Sequence, residues 1–301
     1  MAARRAGLKD AEAARRLLAK ADYVANADLA TAVFLGCELK RPLLLEGEAG
    51  VGKTAVAQAL AAALDTKLIR LQCYEGLDAQ AAIYEWNYQK QLLAIRLSEA
   101  GGGKMAMDSV FAEEYLSERP LLQAIRQPKP PVLLVDEIDR ADEEFEAFLL
   151  EILADFQVTV PELGTLEAKS IPYCVLTSNA TRQLSDALRR RCLYHYLDYP
   201  EVGVEQEIVL KRNPAADEEL VEQVVTFVGL LRKEDLEKKP GIAETLDWIA
   251  ALTRVGVKKL NDAERLDELQ ASLACLLKTA GDRQAIPRPK TQLLAEMAAS
   301  A

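Results

Sequence analysis

A single histidine, His195, occurs among 301 residues, leaving too few imidazole ligands for an ordinary zinc site. The five cysteines, Cys37, Cys73, Cys174, Cys192 and Cys275, are scattered without C-x-x-C spacing and are expected to be reduced and buried. The same scarcity removes Ser-His-Asp or Cys-His catalysis unless His195 itself serves, and its setting, Leu193-Tyr194-His195-Tyr196-Leu197, reads as a strand. With 15 glycines and 12 prolines the chain is neither collagenous nor of low complexity. Its apolar runs fall short of the roughly eighteen residues a membrane helix needs. The first twenty residues set Asp10 and Glu12 among arginines and lack the apolar core of a secretory leader, so no membrane is expected and the expected address is the cytoplasm. Basic residues are also in deficit, 37 against 47 acidic, for a net charge of −10. That disfavours a protein that holds nucleic acid by neutralising phosphates.

What remains is a globular chain, 50% hydrophobic and 28% charged, long enough for two domains. Residues 8–40 have helical spacing, through Leu17, Leu18, Val24, Leu29, Val33 and Leu39. Pro42-Leu43-Leu44-Leu45-Glu46 then reads as a short buried strand, followed by a glycine-rich turn and an alanine-rich helix over 54–64. Lys67–Leu71 follows at βαβ spacing, which predicts a parallel sheet. Val132-Leu133-Leu134-Val135 and Tyr173–Thr177 are further continuous apolar runs suited to strands buried on both faces. Between them, residues 142–155 predict a helix and 157–170 a hairpin around Pro161 and Gly164. After Tyr199-Pro200 strand signals stop and helical spacing continues to about residue 280, while the tail beyond Gly281, with Pro287 and Pro289, is expected to be loosely ordered. The expected division is an α/β domain over 1–200 and a smaller all-α domain over 201–301. The mixed-charge run Arg232–Lys239 is expected to be a solvated face. Arg4, Arg5, Arg15, Arg16 and Lys20 are read the same way.

Gly47-Glu48-Ala49-Gly50-Val51-Gly52-Lys53-Thr54 fits G-x-x-x-x-G-K-[ST], between a predicted strand and a predicted helix. Glycines let the backbone curl until its N–H groups converge on phosphate oxygens, and the helix that follows points its positive end at them. In that reading Lys53 reaches the β and γ phosphates and the Thr54 hydroxyl binds Mg²⁺. A carboxylate ending a buried strand can hold the same metal; Asp136 is that residue, and Glu137, one position on, is placed to polarise a water for in-line attack. No N-K-x-D guanine signature accompanies the loop, so ATP is the expected nucleotide.

The phosphate loop, Asp136-Glu137-Ile138-Asp139-Arg140-Ala141, and Leu176-Thr177-Ser178-Asn179 leading to Leu188-Arg189-Arg190-Arg191 together resemble the AAA+ ATPases, and within them the MoxR family, over about residues 25–260. The resemblance implies an α/β P-loop core, its parallel sheet flanked by helices, plus a helical lid. It implies Asn179 as the strand-tip residue that orients water. It also implies an arginine finger supplied across a subunit interface, best matched by Arg191, with Arg189 and Arg190 as competitors. A homo-oligomeric ring, hexameric in the family, follows from that sharing, and Mg²⁺-dependent ATP hydrolysis coupled to remodelling of a protein client. Its implied partners are a von Willebrand factor A domain protein and a metalloenzyme undergoing maturation. The competing reading is an AAA+ nucleic-acid motor or loader of the restriction type, which the acidity disfavours. One departure is visible: the second sensor arginine of the lid helix has no counterpart in Pro240–Trp248, and Arg254 lies further on. The segments around Tyr84, Trp86 and Tyr88 and around 158–166 match loops that the family places on one face of its ring; there the aromatics serve either as core or as partner contacts.

Overall fold

The computed structural model describes residues 7–100 and 107–300. They form two compact units. One contains Ala25–Gly47 and Lys53–Tyr196 together with the N-terminal helix, and the other Asp22–Val24, Glu48–Gly52 and the chain from Leu197 onward.

In the first unit the expected helical lead-in is two helices, α1 (Ala11–Ala19) and α2 (Ala27–Leu39). They are separate because Asn26 caps the second, its side chain accepting from Leu29 N at 2.8 Å. There follow β1 (Leu43–Glu46), α3 (Lys53–Ala63), β2 (Leu68–Gln72), α4 (Ala79–Ile83), β3 (Tyr84–Trp86), α5 (Tyr88–Ala100), α6 (Met107–Val110), β4 (Leu116–Glu118) and α7 (Pro120–Arg126). The unit is completed by β5 (Val132–Asp136), α8 (Glu143–Asp155), β6 (Gln157–Val160), β7 (Gly164–Glu167), β8 (Tyr173–Ser178), α9 (Asp186–Arg191) and β9 (Leu193–Tyr196).

Five strands make a parallel sheet in the order β2-β5-β8-β1-β9. The order follows from side-chain pattern. The three uninterrupted apolar runs, β1, β5 and β8, are buried at every position and lie in the centre. β2, which buries every other residue, and β9, which exposes every other residue, form the edges. This register brings the carboxyl ends of β1, β5 and β8 to one rim, where Glu46 pairs with Ser178 and Gln72 with Asp136. Ligands of open α/β sheets bind at such a rim. The sheet is packed by apolar side chains that include Leu44, Leu133, Leu176, Leu121, Phe145 and Leu149.

The predicted hairpin is β6 paired antiparallel with β7. The β3–β4 pair has no counterpart in the sequence reading, because three-residue strands carry too few alternations to be seen. Its aromatics divide: Tyr84 and Trp86 are buried and meet edge-on with ring centroids 5.9 Å apart, while Tyr88 is exposed.

In the second unit α10 (Val202–Arg212), α11 (Glu218–Leu231), α12 (Ile242–Val255), α13 (Leu266–Ser272), α14 (Ala280–Ala285) and α15 (Arg288–Ala299) enclose a core around Phe227 and Trp248, whose rings lie 4.9 Å apart. Two expectations are corrected here. The tail beyond Gly281 is ordered helix: Pro287 is the N-cap of α15 and Pro289 lies in its first turn, where the missing N–H has no intrahelical partner to lose, and Thr291, Leu294, Ala295 and Ala298 are buried. Nor is the run from Arg232 solvated throughout. Arg232 is buried; its Nη1 and Nη2 meet the two carboxylate oxygens of the buried Glu205 at 2.6 and 2.8 Å, and Tyr199 stacks under the guanidinium at 4.4 Å. A long stem lets an arginine at a helix end fold back into the core when a carboxylate waits there.

Of the N-terminal basic residues, Arg15 and Arg16 both pair with Glu12 at the surface of α1; Arg4 and Arg5 lie outside the described residues. Among the described residues no helix is long and apolar enough to cross a membrane.

Candidate nucleotide site

Residues far apart in the sequence meet at the sheet rim. Thr54, in the first turn of α3, donates its hydroxyl to Asp136 Oδ1 at 3.1 Å, and Asp136 is buried at the end of β5. Thr177 on the neighbouring strand β8 donates to the same oxygen at 2.5 Å and accepts from Glu137 N at 2.9 Å. Lys53 is buried, and its Nζ donates to Gly47 O at 2.7 Å. The turn between β1 and α3 is possible only with glycine at its bends: Gly50 and Gly52 take φ +82° and +97°. Gly50 has a second constraint, since a Cβ there would meet Gly241 Cα at 2.9 Å, while its carbonyl accepts from Ile242 N at 3.0 Å within the second unit. Glu48, Ala49 and Val51 supply the remaining backbone of the turn.

Glu137 adopts φ +55°, ψ +51°, a left-handed conformation a glutamate rarely takes. The β5 ladder, the Thr177 hydroxyl and the 3₁₀ turn of Ile138–Arg140 over-determine it, as strained backbone requires. Its carboxylate accepts from Gln72 Nε2 at 3.1 Å and pairs with Arg140 at 3.2 Å. Asn179 follows β8, with its backbone N–H held by Asp139 Oδ2 at 3.1 Å. Asp139 is buried and also receives the N–H and hydroxyl of Thr181.

A hydroxyl and a carboxylate, both hard oxygen donors, are the type of set that holds Mg²⁺ beside a substrate's phosphates, so Thr54 and Asp136 fit that metal. Their carboxylate already engages a cation, Arg70, whose Nε and Nη2 lie 3.0 and 2.5 Å from Asp136 Oδ2. Cys73, fully buried beside this cluster, has its thiol pushed up to about 12, by burial first and then by the charges of Asp136, Asp139 and Glu137.

Arg191 is elsewhere. Its side chain lines a cavity of about 580 Å³ with Ile83, Phe148, Glu151 and Val158, none of which belongs to the carboxylate cluster. Burial lowers the pKa of His195, against the pull of Asp28. Arg254 is exposed in the last turn of α12. Sequence reasoning missed Arg70, Gln72, Thr177 and Asp139. The visible signal was Arg70 and Gln72 themselves, polar residues two apart on one face of the otherwise apolar β2.

Residues 42–192 match the model of the AAA domain, dynein-related subfamily. The chain belongs to this AAA family. Membership accounts for the α/β sheet and implies ATP-driven activity of the general AAA+ kind. An uncharacterized protein of Staphylococcus haemolyticus is 26% identical over 221 residues, covering 71% of this chain and 76% of its own length. An uncharacterized protein of Staphylococcus aureus is 25% identical over 223 residues, with the same coverage of each.

Proposed function

We propose that this AAA protein is a Mg²⁺-dependent ATPase of the MoxR type that works as a homo-oligomeric, hexameric ring and remodels or activates a protein client. The observation that carries the proposal is the 3.1 Å approach of the Thr54 hydroxyl to the buried Asp136 carboxylate across 82 residues of sequence. A chance fit to a loop pattern would not bring a strand-end acid from a different βα unit to the loop's own threonine.

In this reading Lys53 leaves Gly47 O to bind the β and γ phosphates, and the backbone N–H groups of 47–54 bind the remaining oxygens. Thr54 and Asp136 hold the metal, which neutralises phosphate charge when bound. Glu137, presented by its left-handed backbone, accepts a proton from the attacking water. Asn179, fixed through Asp139, orients that water. Arg191 supplies positive charge to the γ phosphate of a neighbouring subunit. A client undergoing metalloenzyme maturation, with a von Willebrand factor A domain partner, rests on the sequence resemblance to MoxR proteins.

The test is phosphate release by the wild type and two variants. Lys53→Ala should lose nucleotide binding and turnover together, whereas Glu137→Gln should keep ATP bound with turnover abolished and the ring stabilised. Full turnover in Lys53→Ala would overturn the site assignment. Client capture on the Glu137→Gln protein examines the remodelling role, and binding to DNA that falls steeply with salt would favour a nucleic-acid motor instead.

A further inference from the structure

Asp136 has a limited number of lone-pair directions, and the structure accounts for them. Oδ1 receives Thr177 at 2.5 Å and Thr54 at 3.1 Å; Oδ2 receives both Nε and Nη2 of Arg70 at 3.0 and 2.5 Å. Arg70 comes from the edge strand β2, two residues before Gln72, whose Cα partner across the ladder is Asp136. The guanidinium therefore reaches along the strand face toward the carboxyl rim. Its side chain is half exposed, against a carboxylate that is 4% exposed. It has a second acceptor as well, Gln72 Oε1 at 2.5 Å.

A guanidinium stays charged at any pH proteins tolerate. A divalent cation that joined Thr54 and Asp136 would lie within a few ångströms of it, and two cations at that distance repel strongly away from bulk water. We infer that Arg70 and Mg²⁺ are alternative partners of the Asp136 carboxylate. Arg70 keeps the buried acid paired and oriented when no metal neutralises it. The metal displaces the arginine toward Gln72, so Arg70 sets the metal concentration at which the site fills. In this role Arg70 positions Asp136 and tunes the metal requirement, without touching the reacting phosphate. The inference rests on the ATP-site reading above.

The experiment follows Mn²⁺ in the presence of ADP, by electron paramagnetic resonance of the free ion, for wild type, Arg70→Gln, Arg70→Lys and Gln72→Ala. ADP affinity in chelator is measured alongside. Removing a competing cation from a buried carboxylate should lower the Mn²⁺ midpoint of Arg70→Gln by about five- to tenfold, with ADP affinity in chelator unchanged. Arg70→Lys, which keeps a charge, should stay near wild type. Gln72→Ala removes the arginine's second acceptor and should raise the midpoint; it also keeps the inference exposed if Arg70→Gln does not fold. Midpoints in Arg70→Gln at or above wild type, or an unchanged midpoint in Gln72→Ala, overturn the inference while leaving the ATP site standing. A wild type that binds no ADP, with or without Mn²⁺, overturns the site reading and this inference with it.

Discussion

Glu46, the last residue of the strand that feeds the phosphate loop, accepts from Arg189 Nη2 at 3.2 Å, and Tyr194 OH donates to the same buried carboxylate at 3.0 Å. At the other end of that strand Arg41 donates to the carbonyls of Arg190, Arg191 and Cys192 at 2.7 to 3.0 Å. The C-terminal half of helix α9, which carries the three consecutive arginines, is thus tied to both ends of β1. Arg189 is spoken for within its own chain, whereas the side chains of Arg190 and Arg191 make no hydrogen bond or ion pair among the described residues and are exposed.

Arg189→Ala should therefore act on stability. It leaves the Glu46 carboxylate buried with the Tyr194 hydroxyl as its remaining donor, a loss of about 1–3 kcal/mol, read from urea unfolding at neutral pH. Glu46→Gln should restore much of that loss in the Arg189→Ala background, because an amide is less costly to bury without a cation. Additive losses in the double variant would show that the two groups do not interact.

Arg191→Ala should do the reverse. Replacing an exposed arginine should leave unfolding within about 0.5 kcal/mol of wild type, and nucleotide binding intact. Turnover should fall by about 10³-fold if the side chain serves a neighbour's γ phosphate. Mixing Arg191→Ala with Glu137→Gln subunits should then recover activity at shared sites. Undiminished turnover in Arg191→Ala alone removes the residue from the mechanism.

The parts of this protein that were legible in its sequence are those where one residue type had one reason to be there. Leu43–Glu46 and Val132–Asp136 read as buried strands, and Gly47, Gly52, Lys53 and Thr54 announce a phosphate loop by spacing alone. The AAA domain match covers this region. What stayed hidden depends on which way a long side chain folds. Arg232 looks like any residue of a charged run, and only the position of Glu205, 27 residues earlier, turns it inward. Arg70 is likewise assigned its partner by strand order, which no local pattern records. Prolines misled in the tail, because Pro287 and Pro289 are helix starters at the first turn and helix breakers anywhere else.

Cys73 offers a check on the packing behind the carboxylates. A thiol pushed up to about 12 stays protonated at pH 8, and this one is also fully buried. Only the thiolate is nucleophilic, so Cys73 should resist iodoacetamide in the folded protein and react at once in urea. Cys192, pushed up to about 12 by burial, should behave alike, leaving the half-buried Cys275 as the first site labelled. Because both buried thiols have folded pKa values above their unfolded ones, their contribution to stability is intact below about pH 9 and is lost as pH rises toward 12. Fast native labelling at Cys73, read by peptide mass mapping, would show that the rim opens.

The Glu205–Arg232 pair sets the strongest demand on the second unit. Glu205 Oε1 takes Arg232 Nη2 and the Thr245 hydroxyl, each at 2.8 Å, while Arg232 Nε donates to Pro240 O at 2.8 Å. The network joins α10, the end of α11, the start of α12 and the residue just before Gly241. Glu205→Ala strands a buried guanidinium and should cost about 3–5 kcal/mol. Arg232→Ala strands the carboxylate instead and should cost a similar amount, plus the lost contact with Tyr199. Replacing both by leucine removes two desolvated charges together, so the double variant should be more stable than either single one. Thermal unfolding of the three variants decides the matter: losses that simply add would mean that the pair is solvated and loosely held.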